Sequence, residues 1–490
     1  MKRTTILSAI AALVIVTLAG CYVGLDDGAG SVGIPLPDPR TVSEGAPAEY
    51  ARIFILNGAI VLEVGEETPY KEFDLSPSAN ETLEEATVGP VPAGDGYRVV
   101  LVFGNYEEGA GGDEYFVPSD YALSDPFTVY GGQATAVDVE LGPTPFDAAG
   151  GTLGLNLVGI MWDGDVDGDD LYVATPDELF VGDLGTLNFG SQETLPTGET
   201  ANSISRGALE GVGPVPWVNT DQGLLPYDTS GGGWQQDFDT GKGFAGAVTD
   251  SGAYILGTTL YGYVQFDGGL GGVRDTVGSA EEWMQPADLA DLVAGEPIYD
   301  LAVQYDSTAP DGGEVYGWFA TKLGAFRMPK SLLEDSDMYP DLTVAQEVFE
   351  RSDFFEIMIN GTKAIITDIA VGYDGASTLY LGTPRGAVRV SDLSGFTSDP
   401  EPDFELSGEL IAGTEGLIVE DIVMVGSYVV VLTNHFVVYS DDDGSTFSDP
   451  IPVYASQLGG EVTDMFVVDS ALADLAILAG NGGVALLPLN

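Results

Sequence analysis

LYLGTPRGAVRVSD, residues 379–392, is the stretch on which the fold turns. Leu379, Tyr380 and Leu381 form an apolar run that ends on the small residue Gly382 and on Thr383. Pro384, Arg385 and Gly386 supply turn chemistry, and Val388 and Val390 then alternate with polar neighbours. An apolar run, a turn and an alternating run predict two strands joined by a hairpin. The same order recurs in LYVATPDELFVGD (171–183), PWVNTDQGLLPYD (216–228), YILGTTLYGYVQFD (254–267) and WFATKLGAFRMPK (318–330). It returns in VVVLTNHFVVYSDD (429–442) and AILAGNGGVALLPLN (476–490). Thr175, Thr220, Thr258, Thr321, Thr383, Thr433 and Gly480 hold the corresponding position, at successive intervals of 45, 38, 63, 62, 50 and 47 residues.

A second motif, [IV]-x-D-[LIM], precedes four of these hairpins and opens an apolar strand each time. Its copies are Ile298-Tyr299-Asp300-Leu301, Ile366-Thr367-Asp368-Ile369, Val419-Glu420-Asp421-Ile422 and Val462-Thr463-Asp464-Met465. Two motifs in fixed order at a period of about 40 to 50 residues are what a four-stranded propeller blade requires. A blade has two apolar faces, so it is stable only when stacked between neighbours, and the stack closes into a ring. Seven copies predict an all-β propeller of seven blades over residues 150–490. The stretch before Thr220, SISRGALEG, is polar and weakly periodic, which leaves six or eight blades as alternatives.

Ser440-Asp441-Asp442-Asp443-Gly444-Ser445-Thr446-Phe447 fits the pattern S-x-D-x-G-x-T-[FW] and follows the strand FVVYS. It resembles the Asp-box of sialidase-type and sortilin-type propellers. The resemblance implies a structural turn in which Asp442 binds turn backbone and Phe447 packs between blades, with Ser440, Gly444 and Thr446 completing the box. The L-Y-[VL]-[AG]-T hairpins also resemble the repeats of two-component-regulator propellers, which are sensory or binding modules.

Residues 48–145 have a different rhythm. ARIFILNGAIVLEV, YRVVLVFGNY, DPFTVY and ATAVDVEL alternate with period two, separated by the turn residues of Pro90-Val91-Pro92-Ala93-Gly94 and Gly131-Gly132-Gln133. The pattern V-P-A-G-x-x-Y-x-V-x-L, with F-x-V-x-G-G-Q-x-T-x-V-x-V after it, resembles small prealbumin-like or immunoglobulin-like β-sandwiches.

At the N-terminus, Lys2 and Arg3 precede an almost unbroken apolar stretch from Ile6 to Leu18. That stretch is too short to span a bilayer core of about 30 Å but suits a signal peptide over residues 1–20. Leu18-Ala19-Gly20-Cys21 resembles the lipobox of bacterial lipoproteins, which implies cleavage before Cys21 and acylation, palmitate included, of its thiol. Two or more acyl chains anchor stably where one is marginal. Cys21 is the only cysteine, so a disulfide within the chain is excluded and stability rests on burial. Residues 21–47, rich in Gly, Pro and Asp, are expected to form a lipidated flexible tether.

The formal net charge is −61, from 77 acids against 16 lysines and arginines. A chain so poor in basic residues is unsuited to nucleic acid or anionic lipid surfaces. An apolar fraction of 44% excludes disorder as the reason for the charge. The acidic excess resembles that of proteins exported into saline surroundings, where salt screens self-repulsion.

Catalytic and metal chemistry find few candidates. A sialidase-like site needs an arginine cluster, a tyrosine nucleophile and an acid/base carboxylate. The segment holds Arg206, Arg274, Arg327, Arg351, Arg385 and Arg389, with nothing in the sequence to gather three of them. His435 is the only histidine and sits in a hairpin turn, where a solvated polar role is expected. Asp163, Asp165, Asp167 and Asp169 offer the closely spaced oxygens that Ca²⁺ prefers, with Gly168 at the turning position. The loop resembles those of integrin-type propeller repeats, although Ala174 stands where an EF-hand carries its bidentate Glu. The bland alternative is an acidic turn. Two long intervals carry insertions in which Trp283, Tyr339, Phe349, Phe354 and Phe355 either line a binding face or pack locally.

The expectation is a membrane-anchored, exported lipoprotein without a catalytic site. A small sandwich would lead into a propeller that binds or scaffolds an envelope protein or glycan at an outer membrane or cell surface. The alternatives are an exported hydrolase using the propeller channel and a Ca²⁺-dependent adhesin.

Overall fold

The computed structural model describes residues 29–35, 48–57, 60–62, 64, 68–75, 86–108, 114–141, 157–163, 170–184, 188–209, 213–220, 223–228, 233–234, 238–239, 243–248, 254–258, 298–306, 314–321, 324–329, 353–359, 362–363, 365–372, 378–391, 404–453, 462–469, 474–480 and 483–489. Among these the regular structure is all β-strand, as the period-two alternation predicts. The chain divides into two compact units, Met1–Pro143 and Thr144–Asn490.

Unit 1 packs two sheets around one core. The larger has the order Val139–Leu141, Glu114–Ser124, Gly94–Glu108, Tyr50–Asn57, Ile60–Val61, with Tyr70–Asp74 and Phe127–Val129 joining from the side. Alternate residues Ala51, Ile53 and Ile55 enter the core shared with Val99, Leu101 and Phe103, and all six are fully buried. Arg52 and Phe54 point to the opposite face. There the Arg52 guanidinium stacks 3.8 Å from the Phe116 ring centre and 4.4 Å from that of Tyr70. Its Nε donates to Glu72 at 2.9 Å and its Nη2 to the Tyr106 hydroxyl at 3.0 Å, so the buried charge is paired.

The smaller sheet corrects one expectation. Its middle strand is Ala29–Ile34, which lies inside the stretch read as a tether. This strand runs antiparallel to Ala86–Pro92 and parallel to Ala134–Ala136. Val32 and Ile34, two residues apart, are both 0% exposed, so the segment supplies apolar alternation too brief to stand out in a glycine-rich context. Gly30 is there for contact rather than freedom. A Cβ on it would lie 2.6 Å from the Tyr130 carbonyl oxygen and 2.8 Å from Val129 Cγ1.

Unit 2 is a succession of antiparallel meanders. Among the described residues, seven modules begin with the strands Gly159–Asp163, Ala201–Leu209, Gly243–Val248, Ile298–Asp306, Asp368–Val371, Val419–Val425 and Val462–Asp469. Modules 3 and 4 share one hydrogen-bonded sheet through a parallel bridge between Gly246 and Leu301. Each of these first strands contacts the first strand of the next module, and the seventh contacts the first, which makes a closed cycle. Residues 203–209 of the polar stretch SISRGALEG belong to the nine-residue first strand of module 2, so weak periodicity hid a genuine strand.

The apolar core lies between modules rather than within them. Leu171 and Val173 of module 1 pack with Ile477 and Ala479 of module 7, while Tyr172 and Ala174 face Ile204 and Val218 of module 2. Three further clusters join modules 4 to 5, 5 to 6 and 6 to 7 in the same way. Continuous apolar runs such as YVVVLT follow directly, since both faces of such a strand are covered.

Candidate functional site

The repeated threonine closes its hairpin. The Thr433 hydroxyl donates to the Phe436 carbonyl at 2.9 Å and accepts the Phe436 N–H at 2.8 Å, with both residues buried. Thr383 donates to the Gly386 carbonyl at 2.6 Å, and Thr175 accepts the Glu178 N–H at 3.1 Å. Thr220 departs from the pattern by donating to the Glu199 carboxylate. A hydroxyl at this position both donates and accepts, which explains why threonine recurs at hairpins of different turn sequence. Thr433→Val keeps the shape but strands the buried Phe436 N–H. It is expected to cost about 2 kcal/mol in denaturant unfolding.

The turn at 440–447 is bound from inside. Asp442 accepts the Thr446 N–H and hydroxyl, each at 2.8 Å, and the Ser440 hydroxyl at 2.7 Å. These donors, the Thr446 N–H first among them, hold the Asp442 carboxyl down at about 2. Ser440 Oγ accepts the Gly444 N–H at 2.8 Å. Asp443 and Gly444 both take positive φ, 56° and 72°. The Asp443 carbonyl accepts the hydroxyl of Tyr380, a fully buried residue of module 5, at 2.9 Å. Phe447 packs against the cluster that joins modules 5 and 6.

The aspartates of the [IV]-x-D-[LIM] motif have a role that the sequence does not announce. Each carboxylate reaches across to the first strand of the following module. Asp300 accepts the Ile369 N–H at 3.0 Å, Asp368 that of Ile422 at 3.0 Å and Asp421 that of Met465 at 3.1 Å. Asp464 accepts the Ile160 N–H at 2.7 Å and so ties module 7 back to module 1. The four carboxyls are close enough to disfavour one another's charge. Burial, then the charges of Asp300 and Asp421, push Asp368 well above the usual carboxylate range. Burial, then Asp464 and Asp300, do the same to Asp421.

The other candidates fall as follows. Cys21, Asp165, Asp167, Asp169, Trp283, Tyr339, Phe349, Arg274 and Arg351 lie outside the described residues. Asp163 ends the first strand of module 1, opposite Asp170. Phe354 and Phe355 belong to the strand Asp353–Ile359 of module 4 and pair with Phe326 and Ala325, so they are sheet residues rather than loop residues. Arg385 is exposed in its turn, while Arg389 stands directly across the ladder from Tyr380. His435 is only 1% exposed, contrary to the solvated turn role expected of it. Its backbone N–H donates to Thr433 Oγ1 and its carbonyl accepts the Val453 N–H, which holds the turn against the segment ending at Val453.

No protein-family model matches the chain, and no curated protein matches it. Solved structures match it only at low identity. The extracellular domain of a hybrid two-component system from B. thetaiotaomicron is 11% identical over 70% of this chain and 39% of its own length, with a TM-score of 0.42. PorZ, a surface component of the type-IX secretion system of Porphyromonas gingivalis, is 13% identical over 84% of this chain and 59% of its own, with a TM-score of 0.46. BBS1N in complex with ARL6DN is 12% identical over 70% of this chain and 97% of its own, with a TM-score of 0.40. The chain thus spans about two fifths of the length of the first of these.

Proposed function

We propose that the chain is an exported lipoprotein held to a cell-envelope membrane by lipid on Cys21, and that unit 2 is a seven-bladed β-propeller acting as a binding or scaffold module for an envelope protein or glycan. The observation that carries the anchor is Leu18-Ala19-Gly20-Cys21 behind a short basic and apolar segment, with no other cysteine in 490 residues. The closed cycle of first strands and the Asp464–Ile160 hydrogen bond support the propeller. The Asp-box supports a structural rather than catalytic use of Asp442, because its two oxygens are engaged by Ser440 and Thr446.

The strand Ala29–Ile34 shortens the free linker. Only eight residue steps separate Cys21 from Ala29, a reach of at most about 28 Å. Unit 1 therefore sits against or just above the headgroups in this reading. The test is to feed an alkyne-tagged palmitate to cells expressing the full chain and its Cys21→Ser variant. The wild type is expected to carry the label and sediment with membranes, and the variant to lose both. An unlabelled wild type sinks the anchor. Crosslinking on intact envelopes, followed by pull-down, then separates a protein partner from a glycan.

A further inference from the structure

The four carboxylates at the module junctions have no part in ligand binding or anchoring as proposed above, and their arrangement has its own consequence. Asp300, Asp368, Asp421 and Asp464 each bridge one module to the next, so together they span the junctions from module 4 round to module 1. Asp368 is 8% exposed and the other three are partly exposed. Asp421 and Asp464 both accept the Met465 N–H, at 3.1 and 3.0 Å, so their carboxyls crowd around a single donor.

The groups that act on these acids are one another and the backbone N–H groups of Ile160, Ile422 and Met465. Of the other acids on these strands, Asp163, Asp306 and Asp469 stand at the far ends, and Glu420 is the sequence neighbour of Asp421.

We infer that the four carboxyls form a proton-loaded clasp, which secures the ring from module 4 to module 1 in mildly acidic surroundings and loosens it as the surroundings turn alkaline. Like charges held this close cannot all ionise without cost, and a proton between two carboxyls converts repulsion into a hydrogen bond. Burial above all, helped by the charge of Asp300, raises Asp464 to about 7, although the N–H groups of Ile160 and Met465 pull the other way. The folded chain therefore holds these protons more tightly than the unfolded chain, whose aspartates titrate near 3.8. The stabilisation is complete below that lower value and is lost as pH rises through about 7.

Thermal unfolding of the full mature chain at pH 5.5 and 8.5 tests the clasp, with Asp464→Asn and the exposed Asp177→Asn as a pair of equal charge change. The wild type is expected to lose about 5 °C between the two conditions. Asp177→Asn should follow it, and Asp464→Asn, which mimics the protonated acid, should lose less than half as much. Equal slopes in wild type and Asp464→Asn overturn the inference. Should Asp464→Asn not fold, the infrared C=O band of protonated carboxyls in the wild type at pH 6.5 decides. Ordinary carboxylates are ionised there, so the band supports the clasp and its absence refutes it. Neither readout involves a membrane or a ligand, so this test stands or falls apart from the proposed function.

Discussion

Deleting residues 22–47 from the mature chain is expected to unfold unit 1, not merely to bring it closer to the membrane. The deletion takes out the middle strand of a three-stranded sheet and leaves Ala86–Pro92 and Ala134–Ala136 without the partner that joins them. Val32 and Ile34 are wholly buried, and losing each removes about 1.5 to 3 kcal/mol of apolar stabilisation. The hydrogen bonds from Ser31 to the Gln133 carbonyl and from Val137 to the Gly33 carbonyl, each 2.9 Å, go as well. A small domain is stable by only about 5 to 15 kcal/mol, so these losses consume most of the margin. Limited proteolysis of the full chain should then cut rapidly within residues 48–141. A shorter deletion, 22–27, should leave that region protected. Equal protection in both variants would show that the strand is dispensable.

The second large effect is expected at Gly444. A methyl built there meets the Tyr380 hydroxyl and lies 2.8 Å from its Cζ, and the residue's φ is +72°. Tyr380 is fully buried and its hydroxyl is bound to the Asp443 carbonyl, so it cannot swing away without losing that bond. Backbone strain of about 1 kcal/mol and overpacking of about 1 to 3 kcal/mol give Gly444→Ala a cost of about 3 kcal/mol. Gly132 has a similar φ of +69° and nothing within 4 Å, so Gly132→Ala isolates the backbone share at about 1 kcal/mol. Adding Tyr380→Phe should soften the Gly444→Ala penalty in denaturant unfolding. If the two substitutions are simply additive, the contact between the turn and module 5 is not the cause.

The hairpins were legible because each depends on local chemistry. A strand that ends at Thr433 and a turn that needs its hydroxyl lie within four residues, and the repetition of that unit exposes the period. The aspartates were legible only as a recurring letter. Their partners Ile369, Ile422, Met465 and Ile160 are 69, 54, 44 and 304 positions away, and they offer backbone N–H groups that leave no trace in a sequence. A charge repeated inside otherwise apolar strands was the available signal. Ala29–Ile34 was masked by its glycines, one of which is a packing requirement rather than a sign of freedom. His435 was misplaced for a related reason, since the turn that carries it is covered by the segment ending at Val453.

The bond between Asp464 and Ile160 also bears on how the chain acquires its fold. It joins positions 304 residues apart, so the edge of module 1 waits for the synthesis of all that lies between. At ribosomal speeds of about 5 to 20 residues per second, that interval lasts about 15 to 60 s. Throughout it the first strand lacks one neighbour, and contacts of such long sequence separation form slowly even afterwards. Ring closure thus waits until the first strand of module 7 has been made.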